Sequence, residues 1–144
     1  MTVGSLRDQL CYPASADATD EHLREALRDV RLADLPDRFG GFDAEQNWPG
    51  ILSVGEQQRL AFARMLVNRP RYAFLDEATS ALDPADEEAL YLRLKHTPTT
   101  VVSVSHHQAL LRHHHRVLEL GGSGAWRLSS GSLGAELEGK RVSA

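Results

Sequence analysis

The sequence predicts an α/β chain in which a small helical region precedes part of a mainly parallel sheet, and three observations lead there. An apolar period of 3.6 residues runs through the first part, placing Leu23, Leu27, Val30 and Leu35 near one helical face. Further on, short apolar or β-branched runs alternate with helical stretches, the order that builds parallel sheets with helices on their faces. Proline and glycine fall between these stretches, where they end one element and start the next.

Taken in order, residues 5–35 read as helical and polar-rich, broken at Pro13, with Asp20 as the expected N-cap of the second helix. Residues 39–50 hold Gly40, Gly41, Trp48 and Pro49 and read as a loop, with Trp48 expected to pack. A helix is expected from about Val54 through Leu60, Phe62, Ala63, Leu66 and Val67, stopping before Pro70. Tyr72 to Leu75 follows as a short strand covered on both faces, ending in Asp76-Glu77. Pro84 suits the first turn of a helix reaching Lys95. Thr99 to Val104 reads as a second strand, about His106 to His113 as a helix, and Val117 to Leu120 as a third strand. Residues 121–124 read as a turn, Trp126 to Leu128 as a short strand, and the tail from Gly131 as weakly helical. With only three or four strands, a chain that supplies one side of such a sheet should expose an apolar edge, since a parallel sheet normally has both faces and its central strands covered.

Composition narrows the classes. At 42% hydrophobic and 25% charged residues, the 144-residue chain has the make-up of one ordinary globular domain. Its formal charge of -4 gives no electrostatic reason to expect a nucleic acid or an anionic membrane surface. Cys11 is the single cysteine, so no internal disulfide can form. No secretory signal is expected at the start, and no apolar run approaches the about 20 residues of a spanning helix.

The sharpest motif is Leu52-Ser53-Val54-Gly55-Glu56-Gln57, placed directly before the helix that starts near Val54. Ser53 can cap that helix and Glu56 can complete a capping box, while Gly55 leaves the backbone bare. Such a helix start can accept a phosphate oxygen; taken alone it is equally a capped helix. Asp76 at a strand end suits a magnesium ion held through water, and Glu77 beside it can polarise an attacking water, although acid pairs after strands also arise by chance. Ser80-Ala81-Leu82-Asp83 comes next, and His106 lies just past the second strand, where it can donate to a phosphate oxygen or simply sit at the surface. The run His106, His107, His113, His114 and His115 could hold zinc, but no cysteine or carboxylate set accompanies it.

These four motifs, in this order, resemble the C-terminal half of the nucleotide-binding domain of ATP-binding cassette (ABC) transporter ATPases. Residues 2–13 and 52–64 are similar to the SbmA/BacA-like bacterial transporters and to their peroxisomal acyl-transporter relatives. The resemblance implies a partial P-loop NTPase fold: a helical signature subdomain over residues 1–68, the C-terminal part of a RecA-like core over 69–130, and a tail over 131–144. It implies ATP and Mg2+ as ligands. Ser53, Gly55 and Glu56 would form the signature, acting in trans on ATP held by the second cassette of a head-to-tail dimer. Asp76 would serve the magnesium of this cassette's own site, Glu77 would be the catalytic base, His106 the γ-phosphate switch, and Asp83 a D-loop residue at the dimer contact. Val54 and Glu56 depart from the commoner glycine and glutamine without removing the hydroxyl or the second glycine. A transmembrane domain is the implied partner, placing the chain on the cytoplasmic, inner face of the cell membrane; no nucleic acid is implied.

No G-x-x-x-x-G-K followed by Ser or Thr occurs in the 144 residues. That loop supplies the backbone cradle and the lysine for the β- and γ-phosphates, so the chain alone is expected neither to bind ATP tightly nor to hydrolyse it, and a Walker A half is the further implied partner. Two other readings compete. A chromosome-maintenance or repair ATPase lobe would need sustained heptads before Leu52, which Pro13, Pro36 and Pro49 interrupt. A partial cassette could also act without catalysis, docking on an intact one as a regulator.

Overall fold

Residues 4–13 and 18–131 are described by a computed structural model, which divides at residue 103 into two compact units. The first unit opens with α1 (Leu6–Cys11), whose N-terminus is closed by a capping box between Ser5 and Asp8. In α2 (Asp20–Asp29) the apolar period does what it predicts, burying Leu23, Ala26 and Leu27 on one face. Its N-cap is Thr19, not Asp20: the Thr19 hydroxyl accepts from His22 N at 3.4 Å. Asp20 instead occupies the first turn, where the helix dipole favours a carboxylate, and pairs with Arg7 at 2.7 Å.

Two one-turn helices follow, α3 (Leu35–Arg38) and α4 (Trp48–Ile51). The second corrects the expectation of an unbroken loop over residues 39–50. Pro49 sits in the first turn of α4, where its missing N–H costs nothing, so the proline that suggested a loop starts a helix. Trp48 is fully buried, as expected of a packing residue; its indole N–H donates to Gly4 O at 2.9 Å and its ring meets Phe39 edge-on at 5.6 Å.

The long helix α5 (Val54–Asn68) is the spine of this unit, burying Leu60, Phe62, Ala63 and Val67 and packing against both α1 and α2. Its last turns also finish α1. Arg64 Nε donates to Gln9 O at 2.6 Å and Asn68 Nδ2 to Leu10 O at 2.8 Å, supplying partners for carbonyls that a helix leaves open at its C-terminus. Arg69 ends α5 in the left-handed conformation, and Pro70 keeps the helix from resuming.

Beyond α5 come β1 (Tyr72–Asp76), α6 (Pro84–Lys95) and β2 (Thr100–Val104). The two strands are neighbours in a parallel pair with α6 as the crossover. Ala73 and Leu75 are buried, whereas Tyr72 and Phe74 are 54% and 79% exposed and Val102 on β2 is 44% exposed. β1 is therefore covered on one face, not two. The exposed apolar side chains thus lie on a face of the strand pair, whereas the sequence predicts an exposed edge.

The second unit holds the helix expected near His106 to His113, as a 3₁₀ helix over Gln108–His113, then β3 (Arg116–Leu120) and β4 (Trp126–Ser130). These last strands form an antiparallel hairpin in the register Leu118↔Leu128 and Leu120↔Trp126, a separate pair from β1–β2. A strand connection of five residues cannot cross over to a parallel neighbour, so the hairpin is the geometry that residues 121–125 allow. The weakly helical tail lies outside the described residues, apart from Gly131. Among the described residues no helix is long and apolar enough to cross a membrane.

Candidate functional site

The start of α5 realises the capping box. Ser53 Oγ accepts from Glu56 N at 3.2 Å and donates to Glu56 Oε2 at 2.9 Å, and Glu56 Oε2 also accepts from Ser53 N at 2.9 Å. Val54 N and Gly55 N, the other amides of the first turn, have no acceptor inside the helix. The Glu56 carboxylate is held by Arg38 NH1 at 2.7 Å. That contact, backed by the bonds from Ser53, depresses the Glu56 pKa below its ordinary 4.5 against the opposing effect of burial. The negative charge of Glu56 at this helix start is thus partnered by a cation from α3.

Gly55 has a second reason to be glycine. A Cβ there would lie 3.3 Å from Ala81 O and 3.6 Å from the Leu82 side chain, so the helix start rests directly on the turn that follows Glu77. A methyl there would be tight against Ala81 O, which would have to give by a few tenths of an ångström, and in ordinary contact with Leu82.

Asp76 closes β1 with an exposed side chain, and Glu77 follows at φ 46°, in the left-handed region that non-glycine residues seldom enter. Such a backbone costs about 1–2 kcal/mol and needs surroundings that hold it. They are present. Ser80 N donates to Glu77 O at 3.2 Å and Leu82 N to Thr79 O at 3.0 Å; the buried Thr79 hydroxyl donates to the buried Glu87 carboxylate on α6. Gln58, one turn into α5, donates to Ser80 Oγ at 3.1 Å and to Glu77 O at 3.4 Å and accepts from Ala81 N at 3.0 Å.

Asp83 caps α6: its Oδ1 accepts from Ala85 N and Asp86 N, both at 2.9 Å. One turn further, the nearly buried Asp86 is held by Arg31 and by Arg59 of α5, the latter at 3.3 Å. His106 belongs to the second unit and is exposed. The structure therefore brings Ser53, Gly55, Glu56, Asp76, Glu77 and Asp83 into one unit, with Gly55 and Gln58 touching the turn after Glu77.

Sequence reasoning missed Gln58, Arg38 and the Thr79–Glu87 pair. Their partners lie 8 to 23 residues away, and no periodicity or capping rule points that far.

A magnesium site can be tested against these donors. Among the described residues no group of three or more histidine, cysteine, aspartate or glutamate side chains could hold a metal ion. A lone exposed carboxylate at a strand end does suit magnesium, which keeps several waters and takes further ligands from phosphates.

Residues 2–80, more than half the chain, match the family model described as "ABC transporter". The chain belongs to the ABC transporter family. It is 50% identical over 90% of its length to an uncharacterized ABC transporter ATP-binding protein of Synechocystis, of which it covers 20%. It is 38% identical over 86% of its length to ATP-binding cassette sub-family D member 3 of Mus musculus, again covering 20%. Against the lysosomal cobalamin transporter of the same organism the identity is 42% over 89% of the chain and 22% of that relative. A bacterial Atm1-family ABC exporter solved with ATP bound superposes with a TM-score of 0.66 at 28% identity, over 82% of this chain and 21% of that one. The sub-family D relatives fall on one of the branches that the sequence motifs resemble. The chain spans about a fifth of the length of these relatives and corresponds to part of an ABC nucleotide-binding domain.

Proposed function

We propose that this chain contributes the signature and the water-activating side of an ABC transporter's ATP site, while a separate segment bearing a Walker A loop grips the triphosphate. Ser53 and Gly55 meet the γ-phosphate of ATP held by the opposite cassette of a head-to-tail dimer, using the hydroxyl and the first-turn amides of α5. Glu56 holds the Ser53 hydroxyl in place through the capping box. Asp76 would hold Mg2+ through its waters, and the ion when bound neutralises charge on the phosphate oxygens. Glu77 polarises the attacking water, His106 senses the γ-phosphate, and Asp83 fixes the start of α6 at the dimer contact. Hydrolysis in such an assembly drives transport through a transmembrane domain, with the chain peripheral on the cytoplasmic face of the cell membrane.

One observation carries this reading. Gly55 of the signature rests on Ala81 and Leu82, so the helix that would act on one ATP is continuous with the acid-pair turn that would act on another. The open face of Tyr72, Phe74 and Val102 supports it too, because a cassette core covers both faces of its sheet and the relatives are about five times as long as this chain.

Calorimetric titration of the lone chain with Mg-ATP should give no tight, stoichiometric complex. Combined with a Walker A-bearing half, it should hydrolyse ATP, and Glu77→Gln should lower that rate by about 100-fold or more. A lone chain that hydrolyses ATP, with activity lost on Glu77→Gln, would defeat the division of labour.

A further inference from the structure

The geometry points to Gln58 as a positioning residue that sets the Glu77 turn from the signature helix. Its amide uses both ends at once: Oε1 accepts from Ala81 N at 3.0 Å, and Nε2 donates to Ser80 Oγ at 3.1 Å and to Glu77 O at 3.4 Å. A carboxamide is the side-chain group that offers an acceptor and two donors from one rigid plane, as this turn requires. The turn needs such a partner because Glu77 is left-handed at φ 46° and the bonds within the turn leave Ala81 N to be satisfied from outside. Gln58 stands on α5 five residues after Ser53 and three after Gly55, which itself touches Ala81. A movement of the signature helix is therefore passed to the turn through Gln58, and the reach of Glu77 follows the position of α5.

This inference rests on the reading of Glu77 as the water-polarising group, and two measurements separate them. The first uses the chain alone and needs no nucleotide: amide hydrogen exchange at Ala81. In Gln58→Met, which keeps the length and helical preference of the side chain but neither polar end, exchange at Ala81 should quicken about tenfold while Phe62 and Ala63 in mid-helix and the melting temperature stay as they were. Gln58→Glu, whose carboxylate still accepts from Ala81 N but has no N–H to donate to Glu77 O, should keep Ala81 protected.

The second measures ATP hydrolysis by the chain assembled with its Walker A-bearing partner. Gln58→Met should lower kcat about tenfold and leave KM for ATP within roughly twofold, because the triphosphate grip lies elsewhere; Gln58→Glu, which sets a carboxylate against the Glu77 carbonyl, should also stay below the native kcat. Unchanged Ala81 exchange in Gln58→Met overturns the proposal, as does quickened exchange with a native kcat, or a Glu variant with a native kcat. Hydrolysis that survives Glu77→Gln overturns the base assignment instead, and the hold of Gln58 on the turn is then still decided by Ala81.

Discussion

The helices around α5 and the strand pair β1–β2 belong to the same unit, yet they finish their burial in opposite ways. Around α5, Trp48, Leu6, Leu10, Leu23, Leu27, Leu60 and Phe62 are almost wholly out of water, and even the last carbonyls of α1 have side-chain partners. On β1, the alternation that buries Ala73 and Leu75 sends Tyr72 and Phe74 into solvent. The helical part is complete in itself, whereas the strands are half of a sandwich. Substitutions on the two sides should differ accordingly.

The largest effect is expected at the centre of the closed side. Trp48→Ala should destabilise the chain by about 3–5 kcal/mol in urea unfolding, since it removes a buried ring and leaves Gly4 O without its donor. Gly55→Ala comes next, at about 1 kcal/mol, because its methyl would stand 3.3 Å from Ala81 O, which must give by a few tenths of an ångström, while the helix preference of alanine offsets part of the cost. A loss there no larger than at an exposed helix position would break the account of Gly55 as a packing residue. Ser53→Ala should cost about 1 kcal/mol as a lost cap. At the open end of the scale, Phe74→Ser should change stability by less than about 0.5 kcal/mol and should reduce self-association in sedimentation; a loss as large as that of Trp48→Ala would mean that this face is covered in the lone chain.

A pH experiment sharpens the closed side further. The Glu56 pKa is lower in the fold than its ordinary 4.5, through Arg38 first and Ser53 second. Its contribution to stability is therefore present in full above 4.5 and is lost as pH falls below that value through the folded pKa. Glu56→Gln should flatten part of the acid limb of the stability curve and leave stability at pH 7 reduced.

Much of this contrast was legible in the chain itself. The bounds of α5, the Ser53–Glu56 box, the strand before Asp76 and the helix after Pro84 all rest on interactions between residues a few positions apart, which capping, periodicity and proline rules describe. The errors share a different character. Thr19 and Asp20 are both good caps, and the choice fell to Arg7, 13 residues away, which pairs with Asp20. An apolar run such as Tyr72 to Leu75 carries no mark of how many faces will be covered, because the cover is made by other segments. Gln58 is an unremarkable helix residue in sequence; only the fold shows that its amide meets the turn 23 positions later. The candidate site residues were nominated by their order along the chain, and the side chains that support them had to be seen.

The ties from α5 to α1 have a practical consequence. A helix of six residues does not persist in water unaided, so α1 stands because Arg64 and Asn68 hold its end. Arg64 is itself half-buried, and burial already pulls its pKa down. Trimming the first dozen residues would remove both the carbonyl that Arg64 donates to and the helix that covers this face of α5. Anyone shortening this polypeptide for expression should cut from the other terminus first.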